Sequence, residues 1–213
     1  MDLSMTEVAA PNIITNPAGD IWFISDTHFF HENILKFTGA DGELIRAGFR
    51  DMAHMNQFMI EMWNSAVKPG HKVYHLGDVT FKYQDNWRII AQQLNGYKRL
   101  CVGNHDKIEG TNLTNFFQKV LLWRVFGQEG FICSHIPLHP SSFDRFSLKN
   151  PNVRKVVYFN VSVEAVNYRP VHIDEIKHII SEMGDVVLNV HGHIHEKPSP
   201  LPADLKTTDY ENF

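Results

Sequence analysis

The amino-acid sequence predicts an α/β domain whose strands form either one mixed sheet or two packed sheets. Short apolar runs bounded by glycine or polar residues alternate with amphipathic segments of helical period, and the apolar runs follow one another more closely in the second half. The chain has 213 residues, of which 43% are hydrophobic and 21% charged. It is therefore long enough to bury the core of one globular domain.

Seven apolar runs predict β-strands. The run KVVYFNVSV alternates apolar and polar residues, as a strand with one buried face does. The runs VLLWRVF and GFICS lie close together, so they predict two adjacent strands. The predicted strands cover residues 21–25, 72–76, 98–102, 120–126, 130–134, 155–163 and 185–190.

Four segments between these runs predict helices. In the longest one, apolar residues from Met52 to Ala66 recur at helical spacing, and Pro69-Gly70 ends the segment. Gly96 and Gly184 end the two later segments in the same way. The predicted helical segments cover residues 31–37, 51–68, 87–94 and 173–183. The glycine-rich stretch 38–50 predicts a surface loop.

The ends of the chain differ from its middle. Residues 1–19 have weak periodicity and two prolines, which predicts a loosely ordered N-terminal arm. Residues 197–213 are polar and contain proline, which predicts a tail along the surface. We therefore expect a single domain over residues 20–196.

Composition excludes several classes of protein. A formal net charge of −4 and a pI near 6.3 argue against an extended nucleic-acid surface, although a local positive site is compatible with them. No apolar run approaches the length of a membrane span, and no signal peptide is apparent. Cys101 and Cys133 lie inside apolar runs, which favours two buried free thiols in a cytoplasmic protein. A homo-oligomer is left open.

Residues that can bind metals or transfer protons follow five of the predicted strands. Sites in open α/β sheets form just beyond the carboxyl ends of strands, so these residues are expected to meet. The five stretches are Asp26-Thr27-His28, Gly77-Asp78, Gly103-Asn104-His105-Asp106, His135, and His191-Gly192-His193-Ile194-His195.

Each stretch by itself has a plainer explanation. Asp-x-His and Gly-Asp are common in turns, and the three alternate histidines of HGHIH could be a metal-binding strand, a polar edge or a turn. His135 alone would usually be a buried, hydrogen-bonded histidine, and His139 in the same loop is a rival ligand. Only the five stretches together, each after a predicted strand, predict metal binding.

The order D-x-H, G-D, G-N-H-D, H and G-H-x-H resembles the calcineurin-like metallophosphoesterase superfamily, and most of all its small bacterial and phage members. The motifs extend over residues 26–195. The resemblance implies a four-layer αββα sandwich of two mixed β-sheets flanked by helices, with two metal ions at the site. It implies that Asp26, His28 and His195 hold one metal and that Asn104, His135 and His193 hold the other. Asp78 would bridge the two metals.

The residue types agree with this implication. Imidazole and carboxylate ligands suit divalent Mn, Fe, Zn, Co or Ni, with Mn the first choice in vitro, and the absence of cysteine ligands disfavours a structural zinc site. Asp26 and Asp78 bring only two negative charges to two divalent ions. The amide of Asn104 adds none, so the centre stays positive enough for an anionic phosphoryl group.

Other residues beside the metals have predicted roles. The resemblance implies that His105 is the catalytic histidine, which could protonate the leaving oxygen or stabilise charge on the phosphoryl group, and Asp106 would help to orient it. His31 could meet a phosphate or cap the short helix that follows it. Arg50 could reach the substrate, although an exposed arginine is the plainer expectation. His75 and His191 are expected outside the metal ligands, as hydrogen-bond partners.

The resemblance, together with these residues, implies a dinuclear metal-dependent phosphoesterase. It would hydrolyse a phosphodiester or phosphomonoester of a small or nucleotide-like molecule through a metal-bound hydroxide. The alternatives are a non-catalytic binding module of the same fold and a nuclease that acts on polymeric nucleic acid. The second motif continues as Val79-Thr80-Phe81-Lys82 and lacks the G-D-x-x-D-R pattern of protein serine/threonine phosphatases, which argues against protein dephosphorylation.

Overall fold

A computed structural model describes most of the chain between the two ends. The predicted N-terminal arm and C-terminal tail fall outside the described residues, apart from Gly19. The described residues are 19–39, 41–81, 83–106, 113–145, 155–184 and 186–195.

The described residues form nine strands and three α-helices. The strands are β1 (Ile21–Ile24), β2 (Lys72–His75), β3 (Tyr97–Cys101), β4 (Lys119–Leu121), β5 (Trp123–Phe126), β6 (Phe131–Ser134), β7 (Lys155–Asn160), β8 (Val171–His172) and β9 (Val186–His191). The helices are α1 (Met52–Ala66), α2 (Tyr83–Gln93) and α3 (Ile173–Met183). Short 3-10 helices lie at Glu32–Lys36, Leu113–Asn115 and Pro140–Arg145.

The strands form two mixed sheets, which confirms the predicted fold class. The first sheet has the order β4-β3-β2-β1-β8, and only β8 runs antiparallel to its neighbour. The second sheet has the order β5-β6-β9-β7, and only β5 runs antiparallel to its neighbour. Parallel pairs need long crossovers, and α1 and α2 supply two of them in the first sheet.

The apolar residues of the strands divide between separate layers, as a period of two requires. In β1, Trp22 and Ile24 pack with Met55 and Trp63 of α1 on the outer face of the first sheet. Phe23 between them faces the second sheet instead and belongs to the core that joins the two sheets. On the outer face of the second sheet, described residues from β6, β7 and β9 pack against Phe143 of a 3-10 helix.

Two strand predictions need correction. The run 120–126 is two strands, because β4 pairs in the first sheet and β5 in the second, with the exposed Leu122 between them. The run 155–163 ends as a strand at Asn160, because Val161 and Val163 exchange backbone hydrogen bonds with Ser25 of the other sheet. Hydrophobic alternation does not show which sheet a strand joins.

Two further expectations can be compared with the structure. Cys101 and Cys133 are both buried and free, as predicted, and burial beside Cys101 raises the pKa of the Cys133 thiol. Within the described ranges, no helix is long and apolar enough to cross a membrane.

Candidate metal centre

Loops after five strands meet at the carboxyl ends of the two sheets. The backbone N–H of Asp26 donates to Gly77 and that of His28 to Asp78, each at 3.0 Å, so the loops after β1 and β2 run side by side. In the second sheet, the N–H of Gly192 donates to His135 at 2.8 Å. This arrangement brings together all seven residues that were predicted as metal ligands.

The first group of ligand atoms comes from Asp26, His28 and His195. One such atom from each residue lies within 4.8 Å of the others. The Oδ1 atom of Asp26 is buried without a hydrogen-bond partner, and it lies 3.9 Å from His195 Nε2. A buried carboxylate oxygen without a donor is costly, and a cation at this position would satisfy it. The group therefore fits a metal ion.

The second group comes from Asp78, His135 and His193, whose ligand atoms also lie within 4.8 Å of one another. His135 Nδ1 lies 2.7 Å from the carbonyl oxygen of Leu76, so this nitrogen carries the proton and Nε2 presents a lone pair. Asn104 Oδ1 lies 2.9 Å from His135 Nε2 and 2.9 Å from His193 Nδ1. His193 Nδ1 also lies 3.2 Å from His135 Nε2. Two imidazole nitrogens, an amide oxygen and a carboxylate thus converge, and this set of donors fits a divalent transition metal.

Asp78 belongs to the second group and also approaches a ligand of the first. Its Oδ2 atom is 3.7 Å from His28 Nε2 and 3.5 Å from His135 Nε2, and thus near a ligand of each group. Its Oδ1 atom accepts the backbone N–H of His105 at 2.8 Å. Burial raises the pKa of Asp78 to about 6, against the opposing effect of His135. This is the position that a bridging carboxylate would occupy.

Five of the seven predicted ligands have left-handed backbone conformations that residues other than glycine rarely adopt. Their φ angles are 56° for Asp26, 44° for His28, 57° for Asp78, 72° for His193 and 51° for His195. Backbone strain of this kind is concentrated at functional sites, where the surrounding structure maintains it.

Glycine allows the loops to approach one another at the centre. A Cβ atom at residue 192 would collide with Ser25 Oγ and Asp26 Oδ2, and one at residue 103 would collide with Asp78. The backbone N–H of His193 can therefore reach Asp26 Oδ2, to which it donates at 2.8 Å. Ser162 Oγ donates to the same oxygen at 2.9 Å.

An ion pair behind the first group was missed by the sequence analysis. Arg46 is only 1% exposed, and its Nε donates to Glu164 Oε1 at 2.7 Å. Its two terminal nitrogens donate to the carbonyl oxygens of Asp26 at 2.6 Å and Thr27 at 2.8 Å. His195 Nδ1 lies 3.3 Å from the same Glu164 oxygen, which leaves Nε2 facing Asp26. The pair thus supports both the strained turn and a ligand.

The charges of this ion pair depend on each other. Burial by itself would raise the pKa of Glu164, but Arg46 and His195 lower this pKa to about 2. Burial opposes the charged form of His195, yet Glu164 and Asp26 raise the pKa of His195 above its ordinary value. Burial, followed by the charge of Arg46, lowers the pKa of His28. The sequence gives no signal for this pair because Arg46 lies in a stretch with the composition of a surface loop.

Replacing Arg46 with methionine is expected to lower the free energy of unfolding by about 3 kcal/mol or more, since Glu164 would become a buried charge without its cation. Chemical denaturation of the metal-free protein would measure the loss. Arg50→Met is the matched control, because the Arg50 side chain is 78% exposed and its expected change is within about 0.5 kcal/mol. Equal stabilities of the two variants would contradict a supporting role for Arg46.

His105 and Asp106 follow Asn104 but occupy different environments. His105 is exposed, and its ring centroid is 5.4 Å from that of His28. The Asp106 carboxylate accepts backbone N–H groups of Asp78 and Gly103 at 2.8 Å and of Val79 at 3.0 Å. It therefore holds the loops after β2 and β3 together. A role for Asp106 in catalysis stays a prediction.

The two predicted substrate residues lie in different places. His31 caps the first 3-10 helix, because its Nδ1 accepts the N–H of Ile34 at 3.1 Å, and its ring lies 5.8 Å from that of His28. Arg50 pairs with Asp51 at 3.2 Å on the surface. The structure therefore brings His31, but not Arg50, next to the candidate ligands.

The remaining histidines lie outside both groups of ligands. His75 Nε2 is 2.9 Å from Thr27 Oγ1, and its Nδ1 accepts the N–H of Gly77, as expected of a hydrogen-bond partner behind the site. Burial lowers the pKa of His75 to about 3 and that of His191 to about 4. His139, the rival ligand, has its Nδ1 atom 2.8 Å from Ser141 Oγ and belongs to neither group.

Comparisons with known proteins give two relatives. No family model matches the chain. The uncharacterized protein MJ1445 of Methanocaldococcus jannaschii is 32% identical over 181 residues, which are 80% of this chain and 96% of MJ1445. The crystal structure of AQ665 from Aquifex aeolicus, a protein of unknown function, is 25% identical with a TM-score of 0.56, over 76% of this chain and all of AQ665. Neither name states an activity.

Proposed function

The chain belongs to the same family as MJ1445, and within that family we propose that it acts as a dinuclear metal-dependent phosphoesterase. The observation that carries the proposal is the position of Asp78 near a ligand from each of two groups of metal-competent side chains. The motif resemblance and the strained ligand backbones support it further. The proposed substrate is a phosphodiester or phosphomonoester of a small or nucleotide-like molecule.

Each proposed metal would have its own ligands. The first would be held by Asp26, His28 and His195, the second by Asn104, His135 and His193, and Asp78 would be shared. When bound, the two divalent ions would supply Lewis acidity and a nucleophile at neutral pH. Manganese is the metal to test first, since nitrogen and oxygen ligands without sulfur suit it.

Residues of the chain would prepare this site for an anionic substrate. Only Asp26 and Asp78 bring negative charge to the ligand set, because Asn104 is neutral. Burial lowers the pKa values of His28 and His193, which favours the neutral rings that can bind a metal. Leu76 and Glu164 orient the rings of His135 and His195 through the nitrogens that face away from the ligand groups. The exposed His105 ring would donate a proton to the leaving oxygen. The two free, buried cysteines support a cytoplasmic location as part of the proposal.

The metal content of the purified protein tests the first part of the proposal. We expect about two Mn²⁺ ions per chain, because each group of ligands fits one divalent ion. Equilibrium dialysis followed by elemental analysis would measure the stoichiometry. A protein that binds no manganese in this experiment would contradict the dinuclear centre.

Hydrolysis of two simple esters tests the second part. We expect the manganese-loaded protein to release p-nitrophenol from bis(p-nitrophenyl) phosphate, from p-nitrophenyl phosphate, or from both. The ratio of the two rates would separate a diester preference from a monoester preference, which the ligand geometry leaves open. Two bound metals without hydrolysis of either ester would favour a binding module instead.

A further inference from the structure

A cavity of about 260 Å³ opens beside the candidate metal centre. On the same measure one water molecule needs only about 10–15 Å³, so the cavity can take a group much larger than water. It is separate from both groups of metal-competent residues. The side chains that line it are Phe30, Glu32, Asn33, Met52, Phe81 and Asn86.

His31 stands between the cavity and the metal centre. Its ring centroid is 4.1 Å from that of Phe81, which lines the cavity, and 5.8 Å from that of His28. The segments that carry Phe30 and Phe81 are joined by backbone hydrogen bonds. The N–H of Phe29 donates to Val79 at 2.9 Å, and the N–H of Phe81 donates to Phe29 at 2.8 Å. His31 thus contacts both a candidate metal ligand and a residue that lines the cavity.

The lining combines aromatic faces with hydrogen-bonding edges. Phe30 and Phe81 offer aromatic surface to a flat ring. Asn33 Oδ1 accepts from Lys36 Nζ at 3.3 Å and Asn86 Nδ2 donates to the Phe81 carbonyl oxygen at 2.7 Å. The amide donors of Asn33 and the amide oxygen of Asn86 are therefore the groups that can pair with a ligand. A nucleobase presents the complementary surface, with π-faces above and below and donors and acceptors on its rim. A hydrocarbon tail would offer the Asn33 donors and the Asn86 oxygen no hydrogen bond in place of the water that it displaced, and this would cost binding energy.

Glu32 indicates which end of the ligand would enter the cavity. Its carboxylate is exposed, and among the described residues no cation forms an ion pair with it. This charge repels a phosphoryl group but accepts hydrogen bonds from the N–H groups of a base. The phosphoryl group would therefore face the metal centre and the base would face the cavity.

The backbone of Phe30 supports a functional role for this wall. Its φ angle is 65°, which is a strained conformation for a bulky residue, and its N–H donates to Asn56 Oδ1 at 3.2 Å. Strain of this kind is typical of ligand-binding positions as well as catalytic ones.

We propose that this cavity is a nucleobase subsite, so that the substrate is a phosphate ester of a nucleoside, either a monoester or a diester. The inference deepens the proposed function and rests on it for the phosphoryl end of the ligand. The subsite itself depends on Phe30, Phe81 and the three polar side chains around them.

Calorimetric titration of the manganese-loaded full chain would test the subsite with three ligands: adenosine monophosphate, guanosine monophosphate and ribose 5-phosphate. We expect at least one nucleotide to bind about tenfold or more tightly than ribose 5-phosphate, which lacks the base. Phe81→Leu and Glu32→Gln should each reduce this preference severalfold. Phe58→Leu is the matched control, because Phe58 is also half-buried but does not line the cavity.

The outcomes separate this inference from the proposed function. The nucleobase subsite would be overturned if all three ligands bound with equal affinity. It would also be overturned if Phe81→Leu and Glu32→Gln both kept the nucleotide preference of the wild type. Manganese binding would still support the phosphoesterase in either case. Adenosine or guanosine can also be titrated into the metal-free protein. Binding of a nucleoside that Phe81→Leu weakens, in a chain that takes up no manganese, would support the subsite and overturn the phosphoesterase.

Discussion

Replacing Asp78 with asparagine is expected to remove both the bound manganese and the hydrolysis of phosphate esters. Asp78 Oδ2 lies within 3.7 Å of a histidine nitrogen from each ligand group, so one substitution weakens both proposed metal sites. Asparagine also removes one of the two negative charges that balance the ions. We expect metal affinity to fall at least 100-fold and activity to fall with it, as measured by dialysis and by ester hydrolysis.

The stability of the metal-free variant distinguishes this effect from unfolding. Burial raises the pKa of Asp78 from 3.8 to about 6, so the charged carboxylate destabilises the metal-free fold at neutral pH. The protonated Asp78 carboxyl stabilises the fold relative to the charged form. This stabilisation is fully present below pH 4 and is lost as the pH rises through about 6. Metal-free Asp78→Asn should therefore be more stable than the wild type at pH 7, by on the order of 2 kcal/mol.

An exposed carboxylate provides the matched control for Asp78. The Asp174 side chain is 59% exposed on α3, and Asp174→Asn should leave metal content and hydrolysis unchanged. A fully active Asp78→Asn protein with two bound metals would show that Asp78 does not bridge the centre.

Replacing His105 with alanine is expected to leave the metal content intact and to lower turnover about 10²- to 10⁴-fold. The ring is exposed and lies outside the ligand groups, whereas the backbone N–H that donates to Asp78 Oδ1 at 2.8 Å is present in alanine as well. The substitution should therefore remove the proton donor without disturbing the bridging carboxylate. Metal analysis and steady-state kinetics on the same preparation would measure both effects.

An exposed histidine on α3 serves as the control for His105. His178→Ala should keep both metal content and turnover, since His178 is part of neither ligand group. Full turnover in His105→Ala would disprove its assignment as the catalytic acid. Loss of metal in that variant would instead make His105 a ligand.

Much of the candidate centre could be predicted because its residues follow strands. The carboxyl ends of parallel strands lie at one edge of a sheet, so polar residues directly after 21–25, 72–76 and 98–102 had to approach one another. The apolar run 21–25 likewise predicted a buried strand, and Trp22 and Phe23 lie on opposite faces of the first sheet as neighbouring strand residues do. These properties are local and depend on only a few neighbouring residues.

Arg46 and Glu164 could not be predicted in the same way. They are 118 positions apart, and no periodic pattern connects an arginine in a glycine-rich stretch with a glutamate after β7. The strand break at Leu122 was missed for a similar reason, since both halves of the run are apolar and only pairing partners distinguish them.

By itself, the sequence determined the α/β class, most strand positions and the set of side chains that could bind metal, because each depends on short-range order along the chain. Only the tertiary structure decided that Asp78 lies near a ligand of each group, that Arg46 is buried behind Asp26, and that Phe30 and Phe81 line a cavity next to His31. Those relations join distant segments. They arise from packing and from burial of charge, which a linear pattern does not record.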